Sequence, residues 1–131
     1  MATAFLDQHV PRIGRPAAST RDATRAFLLR AAQVRTPTRP ENPDGVLLVV
    51  AELVSNALRH TDGPCALHLE LHQDHIDIRV TDTNPRPPQP GPPRTDGTGG
   101  WGWHLIQHLT AHVHISRTSD GGKTICAHAP W

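Results

Sequence analysis

The chain has 131 residues, a formal net charge of +1 and 37% hydrophobic residues, which suits one domain with its own core and is too little for two substantial ones. Its arginines are scattered rather than gathered into a stripe, which argues against nucleic acid as the main partner. No run of about eighteen apolar residues occurs, nor a basic stretch leading into an apolar one, so neither a membrane span nor a secretory signal is expected and the location is expected to be cytoplasmic.

In chain order, residues 1–17 read as an edge strand or arm, with the strand over 5–13. Ser19 or Thr20 can cap a helix running to about Val34, with Phe27, Leu28 and Ala31 on its apolar stripe. Pro37, Pro40 and Pro43 end it. A second helix is expected from Asp44 as cap to about His60, because Val46, Val50, Leu53, Val54 and Ala57 recur at helical spacing. Asp62-Gly63-Pro64 breaks that helix. Residues 65–72 and 75–82 then alternate, Leu67, Leu69 and Leu71 on one face and Ile76, Ile78 and Val80 on one face of the next, which predicts an antiparallel hairpin around Gln73-Asp74 with one wet side. The run from Pro85 to Pro93 reads as an extended loop poor in hydrogen bonds. A glycine-rich stretch, Gly97 to Gly102, leads into a helix of about ten residues, and strands near 112–118 and 123–129 flank Asp120-Gly121-Gly122. The order predicts a single α+β domain over 1–131: a two-layer sandwich with helices on one face of a mixed, mostly antiparallel sheet.

Three places carry chemistry. Glu52, Asn56 and His60 are spaced by four on the second helix, so they drift only about 40° per step and share one face. A carboxylate and an amide stacked in this way can hold a hydrated Mg2+, which prefers oxygen ligands; the plain alternative is the solvated edge of an amphipathic helix. Asp82 closes the strand that begins at Ile76, and its parity matches the apolar residues, so its carboxylate points to the buried side. There it needs a donor, for which an adenine amine or a local turn through the amides of Thr83 or Asn84 are the two candidates. Finally, the glycines at 97, 99, 100 and 102 run straight into a helix, and free amides at a helix start suit phosphates.

Taken in this order, Glu52-Leu53-Val54-Ser55-Asn56-Ala57-Leu58-Arg59-His60, then Asp82, then Gly97-Thr98-Gly99-Gly100-Trp101-Gly102 resemble the N, G1 and G2 boxes of the GHKL superfamily (the Bergerat fold), and within it the anti-sigma-factor serine/threonine kinases of bacteria. The resemblance covers about residues 18–129 and implies ATP with Mg2+ between the helical layer and the sheet, under a lid at 83–100. It gives Glu52 the role of orienting or deprotonating the attacking group, Asn56 that of Mg2+ ligand and Asp82 that of adenine acceptor. Asn84, His60, Gly97, Gly99, Gly100, Trp101 and Gly102 fall on the nucleotide side, and the family places a threonine, here Thr124, near adenine, although strand parity sets Thr124 opposite Ile125, Ala127 and Ala129. The pattern departs at Thr83-Asn84-Pro85-Arg86-Pro87, which lacks the usual glycines, and at Trp101 and Trp103, where many relatives carry arginine and leucine. Arg86 or Arg94 could supply the missing cation.

The function so implied is phosphorylation of an anti-anti-sigma partner by a regulator that also sequesters a sigma factor, forms a homodimer and binds ATP or ADP. The alternatives are a nucleotide-gated binding module without phosphotransfer, a detached histidine-kinase catalytic domain, for which no phosphoacceptor helix is visible, and a metal-binding histidine protein. Among ten histidines, His68, His72 and His75 lie near one hairpin and His104 and His108 are four apart on a helix; at both places packed or solvated rings are expected before zinc. Cys65 and Cys126 sit in alternating stretches without CxxC spacing and are expected to be buried reduced thiols.

Overall fold

A computed structural model describes residues 3–86 and 102–131. β1 (Phe5–His9) is followed by α1 (Pro16–Val34) and α2 (Asn42–His60). The hairpin of β2 (Ala66–Leu71) and β3 (His75–Asp82) comes next, then α3 (Gly102–Leu109) and the hairpin of β4 (His112–Arg117) and β5 (Lys123–Pro130). No helix among the described residues is long and apolar enough to cross a membrane.

Both long helices begin with proline rather than with the expected side-chain caps. Pro16 stands in the first turn of α1 and Pro43 in that of α2, and neither helix has a side-chain cap bond. Proline suits this position because its fixed φ is already helical and its missing N–H would have found no partner there. Ser19 and Thr20 therefore lie inside α1: the Ser19 hydroxyl accepts from Gln8 Nε2 at 3.4 Å, and the Thr20 carbonyl accepts from Thr24 Oγ1 at 2.7 Å. Asp44 falls in the first turn of α2, where its charge complements the helix dipole.

The five strands are ordered β1-β2-β3-β5-β4. Each of these pairings is antiparallel, so among the described residues the sheet contains no parallel pair and the mixed character expected from the sequence is absent. The β4–β5 hairpin returns along the edge of β3 and enters beside it by its second strand, which gives the antiparallel match Ile76↔Ala129 through Asp82↔Lys123. The helices cover one face. Val46, Val49, Val50 and Leu53 of α2 are buried with Leu67, Leu69, Ile76, Ile78 and Val80 of the sheet, and each such side chain withdrawn from water is worth about 1.5–3 kcal/mol. Trp131 closes the core at 1% exposure, and its indole N–H donates to the Arg35 carbonyl at 2.8 Å, which satisfies the polar edge of a buried ring. Cys65 and Cys126 are free and buried, as expected.

Candidate functional site

The apolar stripe that seats α2 on the sheet also fixes the azimuth of Glu52 and Asn56, which are half-buried along its flank. Gly102 opens α3 against that flank: a β-carbon there would overlap the Glu52 carboxylate. Glycine therefore lets the acid lie against the start of a helix, where the partial positive charge of free amides favours it. One turn along, Asn56 Oδ1 accepts from Arg59 Nη2. The His60 ring is exposed, and what His60 contributes is its carbonyl, which accepts from Asn84 Nδ2 at 2.9 Å.

Asp82 lies on the buried face, as strand parity requires, with 4% exposure. Its Oδ1 accepts from Lys123 Nζ at 2.9 Å and from the Asn84 amide at 2.9 Å. Lys123 Nζ also donates to the Asn84 carbonyl at 2.9 Å, and Asn84 Oδ1 accepts from the Arg86 amide at 3.0 Å. Of the two partners weighed from sequence, the local turn through Asn84 is thus formed. The charge, however, is balanced by Lys123, a residue that sequence reasoning passed over. The available signal was that Lys123 is the sole lysine of the chain and opens an expected strand, but its place opposite Asp82 depends on the β3–β5 register. A carboxylate has about four lone-pair sites, so Asp82 retains acceptor capacity beyond the two bonds at Oδ1.

Thr124 does not join this group. It stands directly across from Thr81, with the two hydroxyls 2.8 Å apart, on the face of the sheet away from the helices. The reason is the two-residue period: Lys123 and Ile125 turn inward, so Thr124 must turn outward. The expected placement of Thr124 beside adenine is corrected accordingly. Gly97, Gly99, Gly100 and Trp101, with Arg94 and most of the lid expected over 83–100, lie outside the described residues. At the beginning of that segment, Thr83 Oγ1 is 2.6 Å from Thr61 Oγ1, which ties it to the end of α2. Trp103 is half-buried and packs against the core.

The helix-free face has its own polar centre. Asp77 is only 2% exposed, with Arg79 Nη2 at 2.8 Å, His128 Nε2 at 3.2 Å and Cys126 Sγ at 3.0 Å. Burial alone would raise its pKa, yet the Cys126 thiol, Arg79 and the histidines hold it below the ordinary carboxylate value. His128 is pushed down from its usual value, by burial first and by the neighbouring His75 next. His104 and His108, by contrast, are exposed on α3.

The family model described as a histidine kinase-like ATPase domain matches residues 15–128. Among solved structures, the chain is similar to the RsbU and RsbW domains of Rv1364c from Mycobacterium tuberculosis, with 17% identity and a TM-score of 0.67. That match covers 95% of this chain and 32% of the other, so the chain spans about a third of that structure's length, and at this identity the likeness is one of fold. No curated protein matches the chain in sequence.

Proposed function

This chain belongs to the histidine kinase-like ATPase family, and on that premise we propose that it is an ATP-binding regulatory protein of the anti-sigma-factor type, a serine/threonine kinase acting in the cytoplasm on an anti-anti-sigma partner. The observation that carries the reading is the Asp82 carboxylate, buried at the end of a central strand on the same side of the sheet as α2. Lys123 and the Asn84 amide take its Oδ1, and the acceptor capacity that remains on the carboxylate suits an adenine amine. Glu52 and Asn56 offer oxygen atoms from one helix face, the donor type that suits Mg2+.

Bound ATP supplies the phosphoryl group; the rest is the work of this chain's residues. Asp82 accepts a hydrogen bond from the base and so sets its orientation. Asn56 would hold Mg2+, and Glu52 would take the proton of the attacking serine or threonine hydroxyl. Sequestration of a sigma factor, binding of ADP and a homodimeric state belong to the same proposal. A second reading, a nucleotide-gated binding module without transfer, is favoured by Trp101 standing in the sequence where a cation would assist transfer.

Calorimetry with ATP and Mg2+ tests the pocket, and Asp82→Asn is expected to weaken binding by roughly 1.5–3 kcal/mol as a charge-assisted bond is lost. Undiminished binding in that variant would leave Asp82 a structural residue only, serving the Asn84 turn and the Lys123 pair. Incubation with labelled ATP and candidate partner proteins then separates the two readings: labelling that Glu52→Ala abolishes supports the kinase, and nucleotide binding with no labelled partner supports the module.

A further inference from the structure

The helix-free face of the sheet carries a group of side chains that the nucleotide reading leaves unused. Asp77 pairs across the β3–β5 ladder with His128, and strand parity sends both side chains away from the helices. His75 stands two residues before Asp77 on the same face. We propose that these three residues form a binding site for a divalent transition-metal cation of the zinc class, at the end of the sheet where β3 meets β5. One ligand atom from each of His75, Asp77 and His128 lies within 4.8 Å of the others, and His128 Nε2 is already 3.2 Å from Asp77 Oδ1. Metal–ligand bonds of about 2.0–2.2 Å in a tetrahedron bring neighbouring ligand atoms to roughly 3.3–3.5 Å; because an imidazole nitrogen ligates in its own ring plane, His75 and His128, stacked without metal, rotate apart to complete the site.

Two features beyond proximity point to a cation. The carboxylate is almost fully buried on a face that is otherwise polar, and imidazoles gather beside it, with His128 Nε2 at 3.2 Å and His72 Nε2 at 3.9 Å. His75 Nδ1 is also 2.7 Å from Asp74 Oδ1, so the hydrogen lies on Nδ1 and Nε2 is left as ligand, the carboxylate–histidine arrangement that supports metal-bound imidazole. Cys126 Sγ lies 3.0 Å from Asp77 Oδ1 and His72 Nε2 3.9 Å from Asp77 Oδ2, and a water completes the four positions. Arg79 Nη2 holds Asp77 Oδ2 at 2.8 Å, but its side chain is 50% exposed and free to swing outward when a second positive charge arrives.

The test uses the full chain without a histidine tag, stripped of metal, and titrates it with Zn2+ by calorimetry and with Co2+ by visible absorption. The expected result is one equivalent bound with a dissociation constant of about a micromolar or tighter, and Co2+ bands of tetrahedral intensity. His75→Gln and His128→Gln, both at partly exposed positions that tolerate substitution, should each weaken binding by at least about tenfold. Arg79→Gln should tighten it, since a competing cation is removed, and His104→Gln on α3 should leave it unchanged. The absence of binding by the unsubstituted chain, or binding that survives both His75→Gln and His128→Gln, would overturn the proposal. ATP binding, on the other side of the sheet, should be the same in all of these variants.

Discussion

Lys123 Nζ lies 2.9 Å from Asp82 Oδ1, with the two side chains 5% and 4% exposed. The acid that the nucleotide reading depends on is therefore also half of a buried ion pair. Such a pair adds little net stability over apolar residues of the same shape, but removal of one member leaves a charge without compensation. Lys123→Met is expected to cost about 3–5 kcal/mol in chemical denaturation. Asp82→Asn introduced on top should recover part of the loss, because a neutral amide needs no cation. A loss below about 1 kcal/mol in the single variant would mean that the carboxylate is hydrated in solution.

Gly122 sits beside the same acid from the other direction. A β-carbon there would strike the Asp82 carbonyl and approach the Thr83 backbone, and backbone cannot swing aside as a long side chain can. Gly122→Ala should cost about 1–3 kcal/mol, the usual range for overpacking. The same substitution at Gly121, which has φ of +91° and open space around it, should act through backbone strain alone and cost about 1 kcal/mol. Thermal melts of the two variants would separate collision from conformation.

At the other end of the site, Gly102→Ala should displace the Glu52 carboxylate while leaving the core intact, since Glu52 lies on the flank of α2 rather than on its apolar stripe. The expected signature is lower phosphotransfer at nearly unchanged melting temperature. Glu52→Gln should reproduce it if the carboxylate acts as base. If Gly102→Ala has full transfer activity, the contact has no bearing on the chemistry.

Cys65 and Cys126 offer a pH-dependent readout. Burial, joined by Asp82 for Cys65 and by the bond to Asp77 for Cys126, pushes both thiols up to about 11. Both should resist iodoacetamide at neutral pH in the folded chain and react readily once it is unfolded, since the thiolate is the nucleophile. The linked stability has a definite sign. A pKa above the unfolded value means that the folded state holds its proton more tightly, so stability is full below the ordinary thiol value of 9.0 and declines as pH rises toward about 11. Denaturation midpoints across that window should fall with pH, and Cys65→Ala should flatten part of the slope.

The sequence by itself determined the succession of elements and which face of each is apolar, because the helical and strand periods are local properties: the stripe of α2 and the alternation of β2 and β3 were legible, as was the inward parity of Asp82. It also carried the family resemblance, since the Glu52, Asn56 and Asp82 positions lie within contiguous motifs. It did not determine where the long helices begin, because proline in a first turn competes with a serine or aspartate cap. Partners across strands were beyond it. That Lys123 meets Asp82, that Thr124 turns away from the helices, and that His128 arrives beside Asp77 and His75 all follow from the register of β3 against β5. That register is set when two segments about fifty residues apart pair so that Ile78 and Ala127 share the core. A period-two pattern states which face a residue occupies, whereas only the packed sheet states what stands opposite.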